Sequence, residues 1–141
     1  MRSCLRINAG EFSGGATLEH VRYLDQQLID ESGPDERVVQ RLLDRTSGLS
    51  AAAVNWVRTP PGGGSPAGLH VHDVDQLFYL LQGAMHIEVG GVTTVVRPGA
   101  LIVFPAHEPH RNWNEGDEPT VHLAINAPAP DPAVPFAKPA P

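Results

Sequence analysis

The residues best suited to chemistry are His70 and His72, separated by Val71, with Gln76 four positions beyond and His110 later in the chain. In an extended strand, residues two apart project from the same face. His70 and His72 can therefore direct two imidazoles at one point. Neutral imidazole is the commonest protein ligand for zinc, iron, nickel and copper. A third histidine arriving from another strand would close one face of a metal's coordination sphere.

The surrounding chain reads as the scaffold such a site needs. Residues 68–72 and 76–82 are strand-like and are entered from polar turns, with Asp73 and Asp75 as turn formers. Gly83 interrupts, residues 85–89 alternate, and Gly90-Gly91 is the hairpin turn that two glycines permit. Residues 92–96, 101–104 and 121–126 are further strands, with Arg97-Pro98-Gly99 turning between the first two. Upstream, the apolar run 51–59 ends in Pro60-Pro61-Gly62-Gly63-Gly64, a loop. Many short strands joined by Gly and Pro turns indicate an all-β sandwich or small barrel.

The ends are different. Residues 1–17 carry little pattern, whereas Leu18, Val21, Leu24, Leu28 and Ile29 have helix-like spacing. Residues 36–44 fit either a helical turn or a strand, and Gly33-Pro34 breaks the two segments apart. The Pro- and Ala-rich tail, 127–141, offers almost nothing to bury and reads as a flexible or polyproline-like extension. The expected division is a partly helical N-terminal extension over 1–45 packing on the barrel, the barrel over 46–126, and the tail.

At 141 residues, 41% hydrophobic and 18% charged, the chain has the composition of one globular domain. A net charge of −6 with only ten scattered Lys and Arg argues against nucleic acid. The single cysteine, Cys4, excludes an internal disulfide and a Cys-type zinc site. The N-terminus lacks a signal peptide's apolar run, and no stretch approaches the ~20 apolar residues of a membrane span. A cytoplasmic protein without a membrane partner is expected.

Two spacings carry a specific resemblance. Gly64, five residues, His70-Val71-His72, three residues, Gln76, six residues and Gly83 resemble the first motif of the cupin superfamily. Gly99, five residues, Pro105-Ala106-His107, two residues, His110, three residues and Asn114 resemble its second. The resemblance covers about residues 60–115 and implies a double-stranded β-helix, or jelly roll, commonly assembled as a homodimer. Carried over by position, it implies one divalent metal ion (Fe, Zn, Ni or Mn) held by His70, His72, Gln76 and His110. Two positions depart from the pattern: Gln76 stands where the family has glutamate, and His107 where it has glycine. A neutral amide offsets none of the ion's charge, so the metal should be held less tightly yet polarise a bound oxygen more strongly. Glutamine also cannot act as a general base at neutral pH.

Parity with Gln76 puts Phe78 and Leu80 on the pocket wall, and Tyr79 on the opposite face. His107, at a loop start, and His122, on a strand of alternating pattern, are candidate catalytic residues. His86 is expected on the solvent face, and Trp56 and Trp113 as packing residues. The implied function is a metalloenzyme acting on a small oxygenated molecule that chelates the metal. The chemistry is either Lewis-acid (isomerase, cyclase or lyase-like) or that of a dioxygenase. The alternatives are a metal-free polar pocket and a non-catalytic binding or sensor module.

Overall fold

Short alternating runs between Gly and Pro turns leave little room for helix, and the computed structural model is built accordingly. It describes residues 5–9, 21–47, 51–65 and 68–141. The strands are β1 (Leu5–Ala9), β2 (Arg37–Leu43), β3 (Ala53–Thr59), β4 (His70–Val71), β5 (Asp75–Gln82), β6 (Met85–Val89), β7 (Val92–Val96), β8 (Leu101–Phe104), β9 (His110–Trp113), β10 (Thr120–Ala127) and β11 (Lys138–Pro139). They form two sheets, in the orders β1-β2-β3-β10-β5-β8 and β11-β4-β9-β6-β7. All pairs are antiparallel except β1 with β2. The result is the all-β jelly-roll barrel expected from the sequence.

Period-two alternation decides what faces inward. On β5, Gln76, Phe78 and Leu80 are buried while Tyr79 and Leu81 are exposed; on β8, Ile102 and Phe104 are buried while Leu101 and Val103 are exposed. Phe78, Leu80, Ile102 and Phe104 meet Met85 and Ile87 of the second sheet, with Val57 and Ala124, in the main apolar core. Gly64 shows how tightly the ends of the barrel are drawn together. A Cβ there would lie 2.5 Å from the Asn112 carbonyl oxygen, closer than any side chain can come.

The N-terminal segment departs from expectation in instructive ways. The helix α1 spans only Gln26–Glu31, and residues 21–25 precede it without helix; residues 18–20 lie outside the described residues. Asp25 caps α1 by accepting from the Leu28 amide at 2.9 Å. The Gln40 side chain binds both backbone groups of Asp25, accepting from its N–H at 2.7 Å and donating to its carbonyl at 3.0 Å. That pair of hydrogen bonds gives the chain an extended partner just where the periodicity alone would continue the helix. Residues 36–44 resolve as strand β2, because they add to the edge of β3 rather than standing alone. Leu24, Leu28 and Ile29 cover Val38, Trp56 and Val121 on the outer face of the larger sheet. Residues 5–9 pair with β2, so the N-terminal extension widens the sheet. Among the described residues, no helix is long and apolar enough to cross a membrane.

The tail has more to bury than its composition suggests. Ala129 is fully buried, and the Arg45 Nε donates to its carbonyl at 2.8 Å. β11 pairs with β4, and the Ala140 amide bonds the Leu69 carbonyl at 3.0 Å. Lys138 Nζ lies 2.6 Å from Asp73 Oδ2. Edge strand β4 is two residues long, so its free backbone groups accept a partner that composition alone would not nominate.

Candidate metal centre

β4 and β9 place the three histidines. His70 sits opposite His110 in the antiparallel register, and His72 follows His70 by two residues on the same inward face. The ring centroids lie 4.5 Å (His70–His110), 4.8 Å (His70–His72) and 4.9 Å (His72–His110) apart. One ligand atom from each comes within 4.8 Å of the others, and all three residues are buried. Among the described residues, no carboxylate or cysteine joins the cluster.

The outward nitrogens are tied down. His72 Nδ1 donates to the Phe136 carbonyl at 2.8 Å, and His110 Nδ1 donates to the Glu108 carbonyl at 2.8 Å. Each bond sets the tautomer and leaves Nε2 with a lone pair for a cation. His70 Nδ1, His72 Nε2 and His110 Nε2 are buried without a hydrogen-bond partner in the protein. The Phe136 ring stacks on His72 at 4.0 Å and Phe104 on His110 at 4.3 Å, fixing the planes of both imidazoles.

Burial, and then the neighbouring imidazoles His110 and His72, push His70 down to about 4. Desolvation also lowers His72 and His110, against the opposing pull of the Phe136 and Glu108 carbonyls respectively. All three are therefore neutral at pH 7, the form that ligates. Three neutral imidazoles, each offering one nitrogen within 4.8 Å of the others', fit a divalent transition metal.

Gln76 is buried beside the cluster. Its Nε2 donates to Asn126 Oδ1 at 2.9 Å. With the amide nitrogen committed to Asn126, the amide oxygen is the atom left for a cation. Asn126 shares β10 parity with His122 and could have been found from that alternation. Phe136 could not, because nothing in the tail's sequence marks it for the barrel.

Gln76 and Phe136 also line a cavity of about 230 Å³ with Phe78, Asn126, His122 and Arg37. His122 is fully buried, its ring 4.2 Å from Phe78. Desolvation, and next the Arg37 charge, push it down to about 3. Leu80 is fully buried on the same face but belongs to the apolar core. His107 is not brought to the cavity: its side chain is 71% exposed, with Nδ1 3.7 Å from Asp73 Oδ1. Its φ of 67° is the left-handed conformation that glycine favours, and its amide donates to the His72 carbonyl at 2.8 Å. His107 thus reaches the site through its backbone. Asn114 holds the following corner, donating to the carbonyls of Thr59 at 3.2 Å and Glu118 at 2.8 Å. His86 is half-buried and stacks on Trp113, and Tyr79 faces out, as parity predicts.

Known proteins share this fold. A polyketide cyclase, RemF from Streptomyces resistomycificus, is 25% identical over 64% of this chain and 64% of its own, with a TM-score of 0.58. The chain therefore spans just under two thirds of that relative's length. KdgF from Halomonas sp. is 22% identical over 70% of this chain and 85% of its own, at 0.58. TT1209 from Thermus thermophilus is 23% identical over 78% of this chain and 100% of its own, at 0.62. No curated protein matches the chain. The cupin domain model matches residues 55–126, more than half of the 141 residues, and the chain belongs to the cupin family.

Proposed function

We propose that this cupin is a metal-dependent enzyme acting on a small oxygenated organic molecule. The observation that carries the reading is the set of three buried, neutral imidazoles with unpartnered nitrogens, joined to a cavity through Gln76 and Phe136. His70, His72 and His110 would hold the ion, with the Gln76 oxygen as a fourth donor. When bound, a divalent ion supplies Lewis acidity toward a substrate oxygen, and iron adds the capacity to handle dioxygen.

The chain's own groups do the rest. About 230 Å³ lies below the usual range of drug-sized ligand pockets, which selects a small substrate. Phe78 and Phe136 exclude water from its sides. Asn126 holds the Gln76 amide in one orientation. Neutral His122 offers one N–H donor and one lone pair to a substrate oxygen. Gln76 supplies no carboxylate base, so isomerase, cyclase or lyase-like work here would depend on Lewis acidity toward the substrate oxygen, with His122 as the neutral group able to take a proton. The resemblance to a polyketide cyclase supports the same branch. A non-catalytic small-molecule binder is the second reading, favoured because no carboxylate lines the cavity among the described residues.

Elemental analysis of protein purified without chelators or a metal-binding tag tests the proposal, with His72→Ala as control. One equivalent of transition metal in the native protein, lost in a still β-rich variant, is expected. Full metal retention by His72→Ala would remove His72 from the ligand set, and metal-free native protein would leave only the binder.

A further inference from the structure

Arg37 is a feature of the cavity that the metal-ligand pattern does not use. On β2 it shares a face with Val39, which packs on the inner core, while Val38 between them is buried on the helix side. The strand register fixes where it stands. Gln76 pairs with Asn126, and two rows further along, Val39, Val57, His122 and Leu80 lie side by side. Arg37 occupies the next row, so the cavity runs from Gln76 at the metal end to a guanidinium at the other.

Among the described residues, that guanidinium has no carboxylate counter-ion. Its Nε is buried with no hydrogen-bond partner. Leaving a largely desolvated cation unpaired is costly, and arginine cannot relieve the cost by losing its proton. His122 beside it is neutral, so Arg37 is the one charged group among the described residues lining the cavity. The cavity is positive in a protein whose net charge is −6.

We propose that Arg37 is the recognition residue for a carboxylate, so that the ligand of this cavity is a small organic acid. The planar guanidinium matches a carboxylate through two parallel hydrogen bonds. Phe78 and Phe136 flank the carbon skeleton, and the far end of the acid faces Gln76 and the three histidines. Calling that acid a substrate rests on the enzymatic reading above; its binding at Arg37 does not.

The test uses metal-free full-length protein titrated with acetate, succinate, benzoate and inorganic phosphate, with benzamide as the uncharged analogue of benzoate. The Arg37 Nε–H resonance is followed by nitrogen-15 NMR. At least one carboxylate should shift it, and benzamide should bind roughly ten- to hundred-fold more weakly than benzoate. Arg37→Gln should lose carboxylate affinity by the same factor with an equal or higher melting temperature, and Arg37→Lys should recover part of the affinity. No response to any carboxylate, equal binding of benzamide and benzoate, native affinity in Arg37→Gln, or a preference for phosphate would each overturn the proposal. The benzamide comparison needs no variant, so it stands even if Arg37→Gln folds poorly. Metal content of the same protein, assayed before metal removal and again after a divalent transition metal is added back, separates the two readings. Carboxylate binding without metal uptake would remove the metal-dependent function alone, and metal uptake without carboxylate selectivity would remove this proposal alone.

Discussion

Replacing His122 with leucine should change how the metal-free protein responds to acid. In the folded chain, burial and Arg37 keep His122 neutral until about pH 3, whereas an unfolded histidine titrates near 6.5. Between those values the unfolded state binds one proton more than the folded state. Stability therefore rises with pH across that window, and as pH falls from 6.5 toward 3 it is lost at roughly 1.4 kcal/mol per unit. From pH 7 to pH 5 the native protein should lose roughly 2 kcal/mol through this residue alone. Leucine does not titrate and still packs against Phe78. His70, His72 and His110 are also held neutral by burial, but they act in both proteins, so the difference isolates His122. Urea unfolding with chelator present, at pH 7 and pH 5, gives the two free energies. The variant should gain roughly 2 kcal/mol on the native protein between the two conditions. An equal gap at both pH values would show that His122 is not held neutral and would refute its placement in a desolvated interior.

Three further outcomes follow from contacts at the site. Truncation before Phe136 removes the carbonyl that orients His72 and the ring stacked on it; metal affinity should fall about ten- to hundred-fold in a chelator competition, with the barrel's circular dichroism unchanged. Gln76→Glu adds a negative charge beside the three histidines and should tighten metal binding in the same competition, at the expense of the bond to Asn126; weaker binding would show that Gln76 does not face the ion. His107→Gly relieves a left-handed backbone at φ 67° and should stabilise the protein by about 1 kcal/mol in urea without changing metal content, whereas a loss of metal would give the exposed ring a role its position does not suggest.

The chemistry-bearing core was legible because its signals are local. The His-x-His spacing works in any strand, since alternation alone puts both rings on one face. The Gly90-Gly91 turn adopts positive φ at both glycines, 58° and 74°, as a two-residue hairpin needs. Gln76, Phe78 and Leu80 followed from the same period, although parity could not separate Phe78, on the cavity, from Leu80, inside the core. That distinction depends on how far the opposite sheet approaches, which no single strand encodes. β9 was not read as a strand, because His110-Arg111-Asn112-Trp113 has no apolar alternation; its burial alternates with His110 and Asn112 instead.

By itself, the sequence determined the strand-rich barrel and the three histidines with an amide in place of the usual carboxylate. These are matters of period and spacing, which act within a few residues. The tertiary structure alone decided what surrounds them. It laid Phe136 against His72 from 64 residues away, turned His107 outward, and set Arg37 and His122 in one cavity through the register of β2, β3 and β10. Such contacts arise because free strand edges and inner-face space are filled by whichever segments the closed sheets bring near.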